Sequence, residues 1–115
     1  MARIYKIPLL FTLSFILILA NFMKAIELNQ LKAFLSEPRK VVITTHKGPD
    51  GDAMGSSLAL YNYLLKKGHS VHVITPNDYP SFLKWMKGDK DVIEYCFYEE
   101  KAKKITESEE LIFCL

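Results

Sequence analysis

A parallel α/β sheet flanked by helices is the fold class that the sequence predicts, and three observations predict it. Runs rich in β-branched residues alternate with stretches of helical periodicity. The runs "KVVITTH", "SVHVITP" and "LIFCL" are almost continuously apolar, as strands covered on both faces are. Proline and glycine punctuate the pattern at Pro38, Gly48-Pro49, Gly68 and Pro76.

The elements follow in order. After Met23, "IELNQLKAFL" sets Ile26, Leu28, Leu31, Phe34 and Leu35 largely on one helical face, and Pro38 stops that helix. "KVVITTH" (40–46) is a buried strand. "DAMGSSLALYNYLLKKG" (52–68) is a helix with Asp52 near its N-terminus. Leu58, Leu60, Tyr61, Leu64 and Leu65 give it an apolar surface, and Gly68 ends it. "SVHVITP" (70–76) is the second strand, and "YPSFLKWM" (79–86) a short helix packing on the sheet through Phe82, Leu83, Trp85 and Met86, with a functional aromatic patch as the alternative. "DVIEYCF" (91–97) is a third strand and "EEKAKKITESE" (99–109) a polar surface helix. "ELIFCL" (110–115) is a fourth strand, apolar enough to be central in the sheet. Strand–helix alternation with right-handed crossovers makes this a Rossmann-like parallel sheet with flanking helices.

The chain reaches its last residue, Leu115, at the end of that fourth strand. Open α/β sheets bind ligands beyond the carboxyl ends of their strands. The expectation is therefore the truncated N-terminal part of a longer domain. Residues 23–115 form that part, and residues 1–22 an apolar leader. The leader follows Arg3 and Lys6 with an uncharged run from Ile7 to Met23. It reads as an upstream-start artefact, a signal or a membrane anchor. A start at Met23 implies a cytoplasmic protein, and translation from Met1 a membrane-anchored one.

Composition sets outer bounds. A chain of 115 residues with 50% hydrophobic and 24% charged residues is a small globular domain, not a disordered segment. A formal net charge of +2 is too small to argue by itself for a nucleic-acid partner. Cys96 and Cys114 match no zinc or redox spacing and read as reduced core cysteines.

The stretch that carries chemistry is "HKGPDGDAMGSS" (46–57). His46 stands at the carboxyl edge of the first strand, with Asp50 and Asp52 on the loop that follows. Gly48, Pro49 and Gly51 let that loop turn sharply. Two carboxylates so close repel one another, and a divalent cation relieves the repulsion. A nitrogen and oxygen donor set suits Mn²⁺ best, with Mg²⁺, Co²⁺ and Fe²⁺ as alternatives, and no thiolate marks a structural zinc. The helix start brings backbone N–H groups to the same place, and Gly55 and Ser56 leave room for a phosphate to approach. The plainer reading is a capped acidic turn, with Asp50 or Asp52 as N-cap and His46 as a strand-end histidine.

The segment "VVITTHKGPDGDAMGSSLALYNYLLKKGHSVHVITPNDYPSFLKWM" resembles the DHH phosphoesterase family. It looks closest to the branch of oligoribonucleases and adenosine bisphosphate phosphatases, often described as exopolyphosphatase-related. The order strand, H-x-x-P-D-G-D-A-x-G-S, helix is similar to that family's first motif. The resemblance implies two manganese ions in the complete domain, His46 and Asp50 on one and Asp52 on the other. It implies hydrolysis of small nucleotides or short oligoribonucleotides, and a possible homodimer in the full-length form. The family's next aspartate, its Asp-His-His motif and its substrate-binding domain are not among these residues. The chain alone is therefore expected to hold manganese weakly and to hydrolyse nothing. The alternative is a non-catalytic phosphate- or nucleotide-binding α/β module.

The remaining candidates read plainly. His69 and His72 lack an acidic partner at ligand spacing and read as surface or strand-face residues. Lys101, Lys103 and Lys104 alternate with glutamates on a solvated helix face. Lys47, inside the loop, reads first as a solvated turn lysine, within reach of a bound phosphate.

Overall fold

The computed structural model describes residues 24–115, so the predicted leader 1–22 lies outside the described residues. Residues 24–34 form a helix, α1, that belongs to a unit of its own. Ile26 and Leu28, predicted on an apolar face, are exposed there.

The second unit begins at Pro38 and holds the sheet. Its elements are β1 (Lys40–Thr44), α2 (Gly51–Lys66), β2 (Ser70–Thr75), β3 (Ile93–Glu94), α3 (Glu99–Ser108) and β4 (Leu111–Cys114). The strands pair in the order β3-β2-β1-β4, all parallel. The α/β class with a parallel sheet and flanking helices is thus the observed one.

β1 lies between two neighbours and is correspondingly dry: Val41, Val42 and Ile43 are all but fully buried. Successive strand residues face opposite sides of a sheet. Val42, Ile74 and Ile93 pack with Ala102 and Ile105 of α3. The other face of β1 and β2 meets α2, whose buried residues include Met54, Leu58, Tyr61 and Leu64. Helices on both faces explain why the strand sequences do not alternate.

Several expectations need correction. β4 is at one edge among the described strands, and its residues alternate between half-buried and exposed. Cys114, on that strand, and Cys96 are free but exposed, not core residues. His69 is buried, its Nδ1 accepting the Arg39 N–H at 3.1 Å. His72 does have an acidic partner, Glu109, 3.4 Å away. The third strand shrinks to two residues.

The stretch 79–86 is not a helix packed on the sheet. Pro80 and Gly88 confine it to a single 3-10 turn, Ser81–Leu83, in which only Leu83 is buried. Phe82 and Trp85 stand 73% and 81% exposed. Among the described residues no helix is long and apolar enough to cross a membrane.

Candidate metal site

The site is built where β1 ends. Thr45 is still buried, His46 is exposed, and the chain turns back through Gly48 into α2. Gly48 has φ +66°, a left-handed conformation that an L side chain adopts only with strain. Its N–H donates to Asn77 Oδ1 at 2.7 Å, which ties the turn after β1 to the turn after β2. Pro49 is fully buried beneath it. Asp50 is the N-cap of α2: its Oδ1 accepts the Ala53 N–H at 2.9 Å, and its carbonyl accepts the Met54 N–H at 3.0 Å. The loop is held at both ends while its polar side chains stay in solvent.

His46 Nδ1 lies 2.9 Å from the Lys47 carbonyl oxygen. A carbonyl only accepts, so in the neutral ring this bond places the proton on Nδ1 and leaves the Nε2 lone pair open. Nε2 stands 4.0 Å from Asp50 Oδ1, and both side chains are more than half exposed, at 55% and 66%. That separation exceeds a hydrogen bond. It lies within the reach of two metal–ligand bonds of about 2.1 Å each. An imidazole nitrogen with its second nitrogen fixed by a carbonyl, next to a carboxylate, is a donor pair that fits a divalent ion.

The structure thus brings His46 and Asp50 together. Asp52 is exposed on the first turn of α2 and does not complete a three-donor group with them. Among the described residues no three of His, Cys, Asp or Glu stand close enough to hold an ion. Ser56 Oγ donates to the Asp52 carbonyl at 2.7 Å, so its proton is spent within the helix. A side chain at Gly55 would meet nothing within 4 Å, which leaves that position open.

The sequence reading missed a neighbouring cluster at the carboxyl ends of β2 and β3. Lys84 Nζ donates to Asp78 Oδ1 at 2.7 Å and reaches Glu94 Oε1 at 3.5 Å. That hydrogen bond from Lys84 holds the Asp78 carboxyl below its usual value. Burial, and then the hydrogen bond with Asp78, push Glu94 above its own. The Tyr79 hydroxyl donates to Asp89, and burial first, then Asp89, raises its pKa. "NDYP" gave a turn signal for Asn77 and Asp78, whereas nothing local marked Glu94.

Parallel strands, covered faces and a polar turn at the carboxyl edge place this unit among open α/β sheets, in which ligands bind beyond the carboxyl ends of the strands. The chain belongs to the DHH phosphoesterase family: residues 40–115 match the DHH family, N-terminal domain. The crystal structure of an exopolyphosphatase-related protein from Bacteroides fragilis is similar, with a TM-score of 0.73 and 44% sequence identity. The match covers 76% of this chain and 26% of that one, so this chain spans about a quarter of that relative's length. Among curated proteins no match is found.

Proposed function

We propose that this chain supplies the first ligands of a manganese-dependent phosphoesterase acting on small nucleotides or short oligoribonucleotides. The observation that carries the reading is the His46–Asp50 pair, 4.0 Å apart, with the imidazole tautomer fixed by Lys47. His46 and Asp50 would hold one Mn²⁺ and Asp52 a second. Bound ions of this kind polarise a phosphoryl oxygen and lower the pKa of water.

The chain's own groups do the rest. Gly48 and Asn77 hold the loop in one shape. Asp50 caps α2 through Ala53 and leaves the amides of Gly51 and Asp52 for a phosphate, whose charge the helix N-terminus favours. Lys47, exposed in the same loop, adds a cation. With only two donors paired among the described residues, the 115-residue chain should bind manganese weakly and leave adenosine bisphosphate intact.

Electron paramagnetic resonance titration of the chain with Mn²⁺ tests this. Weak binding should fall by roughly tenfold or more in His46→Ala and in Asp50→Asn. Binding indifferent to both substitutions and to Asp52→Asn would overturn the reading. The capped N-terminus of α2, whose Gly51 and Asp52 amides can meet a phosphate with no metal, favours one competitor, a phosphate-binding module without catalysis. In that case Asp52→Asn leaves inorganic phosphate affinity unchanged and Mn²⁺ does not improve it.

A further inference from the structure

Resting on that nucleotide-directed reading, we infer that the turn after β2 is the base-binding wall of the site. Trp85, with Phe82, stacks a nucleobase, and Lys87 meets a neighbouring phosphate.

The segment is fixed along α2 at two places. At its near end Leu83 is buried, its Cδ2 3.8 Å from where a Cβ on Gly51 would stand, directly beside Asp50. At its far end Gly88 sits against Tyr61 and Leu58, where an added Cβ would come within 2.9 Å of the Tyr61 ring. The Lys87 carbonyl also accepts from Asn62 Nδ2 at 2.9 Å, and the Tyr61 hydroxyl donates to Asp91 at 3.0 Å. Backbone anchored in this way displays its middle residues in a set position.

Trp85, between the two anchors, and Phe82, just before Leu83, are the two most exposed large hydrophobics among the described residues, at 81% and 73%. The helix rises about 1.5 Å per residue, so Leu58 lies about 10 Å beyond Gly51. Trp85 stands two residues after Leu83, so its backbone lies no more than about 7 Å along the chain from the residue that packs beside Gly51. A nucleotide and its neighbour span such a gap.

A shallow cavity of about 370 Å³ is lined by Trp85 together with Lys84, Lys87 and Lys90, and by Asp89 and Asp91. Lys84 is engaged by Asp78, while Lys87 and Lys90 form no ion pair among the described residues. The acidic neighbours Asp89 and Asp91 are turned to the phenols of Tyr79 and Tyr61. An exposed aromatic face interleaved with uncommitted lysines is how single-stranded nucleic acid is bound without base-specific contacts.

The chain contains one tryptophan, so its emission reports Trp85 alone. The test is a titration of the 115-residue chain with millimolar adenosine 5′-monophosphate, and with ribose 5-phosphate as the base-free control, with and without Mn²⁺. The nucleotide should quench the emission and ribose 5-phosphate should not. By nuclear magnetic resonance titration, Trp85→Ala should weaken nucleotide binding about tenfold, and Trp85→Phe should restore it.

Absence of quenching in a chain that still binds Mn²⁺ overturns this inference and leaves the metal reading standing. Loss of Mn²⁺ binding with quenching retained does the reverse. Equal responses to the nucleotide and to ribose 5-phosphate also overturn it. So does emission that follows protein concentration and ignores the nucleotide, which would assign the patch to a second copy of the chain.

Discussion

The two ends of the sheet carry the same kinds of side chain and use them differently. At the amino end, His69 Nδ1 accepts the Arg39 N–H, and Glu110 accepts both the Lys40 N–H at 2.9 Å and the Arg39 guanidinium at 3.1 Å. At the carboxyl end, His46 keeps Nε2 open and Asp50 spends one contact on capping a helix. A histidine and a carboxylate close one end of the fold and leave the other able to take a ligand. What separates structure from function here is not residue type but how much hydrogen-bonding capacity the backbone has already consumed.

The sharpest way to break this comparison is to delete both histidines. His69→Ala strands the part-buried Arg39 N–H and should cost about 2 kcal/mol in urea unfolding. His46→Ala touches an exposed ring and should stay within about 0.5 kcal/mol, while manganese binding falls. Equal costs at the two positions would mean that the carboxyl end is as structural as the amino end.

Asp50 has both roles, and two substitutions separate them. Asp50→Ala removes the cap on α2 and should cost about 1 kcal/mol. Asp50→Asn keeps a capping oxygen, so its stability should change by no more than a few tenths of a kcal/mol. Both should lose manganese. A cap-only residue would separate the two variants in stability and leave any metal binding untouched.

Asn77 supplies a smaller effect and a finer test. Its Oδ1 holds the Gly48 N–H in an exposed turn, so Asn77→Ala should cost about 0.5 kcal/mol. The loop would then sample other shapes, and manganese affinity should fall severalfold although no donor has been removed. Unchanged affinity would mean that the loop holds its form without the second turn.

These contrasts also mark how far the sequence could be read. The strand runs and the helix behind Asp50 followed from β-branching, periodicity and glycine, and β1 and α2 lie within two residues of the predicted bounds. His46 and Asp50 were legible because a strand end and a short loop bring them together locally. The bond from Gly48 to Asn77 joins residues 29 apart, and the His72–Glu109 pair forms only once α3 returns to the sheet. No local pattern encodes such meetings. The hydrophobic spacing in "YPSFLKWM" suggested a packed helix, but one turn between Pro80 and Gly88 has no second turn to bury, and Phe82 and Trp85 stay outside.

The smallest effect lies at the closed end, in how it answers to pH. The backbone N–H of Lys40, and then Arg39, hold the Glu110 carboxyl below the ordinary 4.5. A carboxylate with a lowered folded pKa contributes stability above the unfolded value and loses it as pH falls through the folded one. Glu94 runs the other way: burial raises its pKa, so its contribution is present at low pH and is lost as pH rises. Comparing Glu110→Gln with the parent isolates the first of these. The parent should be the more stable at neutral pH, by a modest margin because the pair is exposed. The margin should close as pH drops below about 4.5 and Glu110 takes up its proton. Thermal melts of both chains across that range measure it directly. A margin independent of pH would mean that the amide of glutamine holds the β1–β4 junction as well as the charge does.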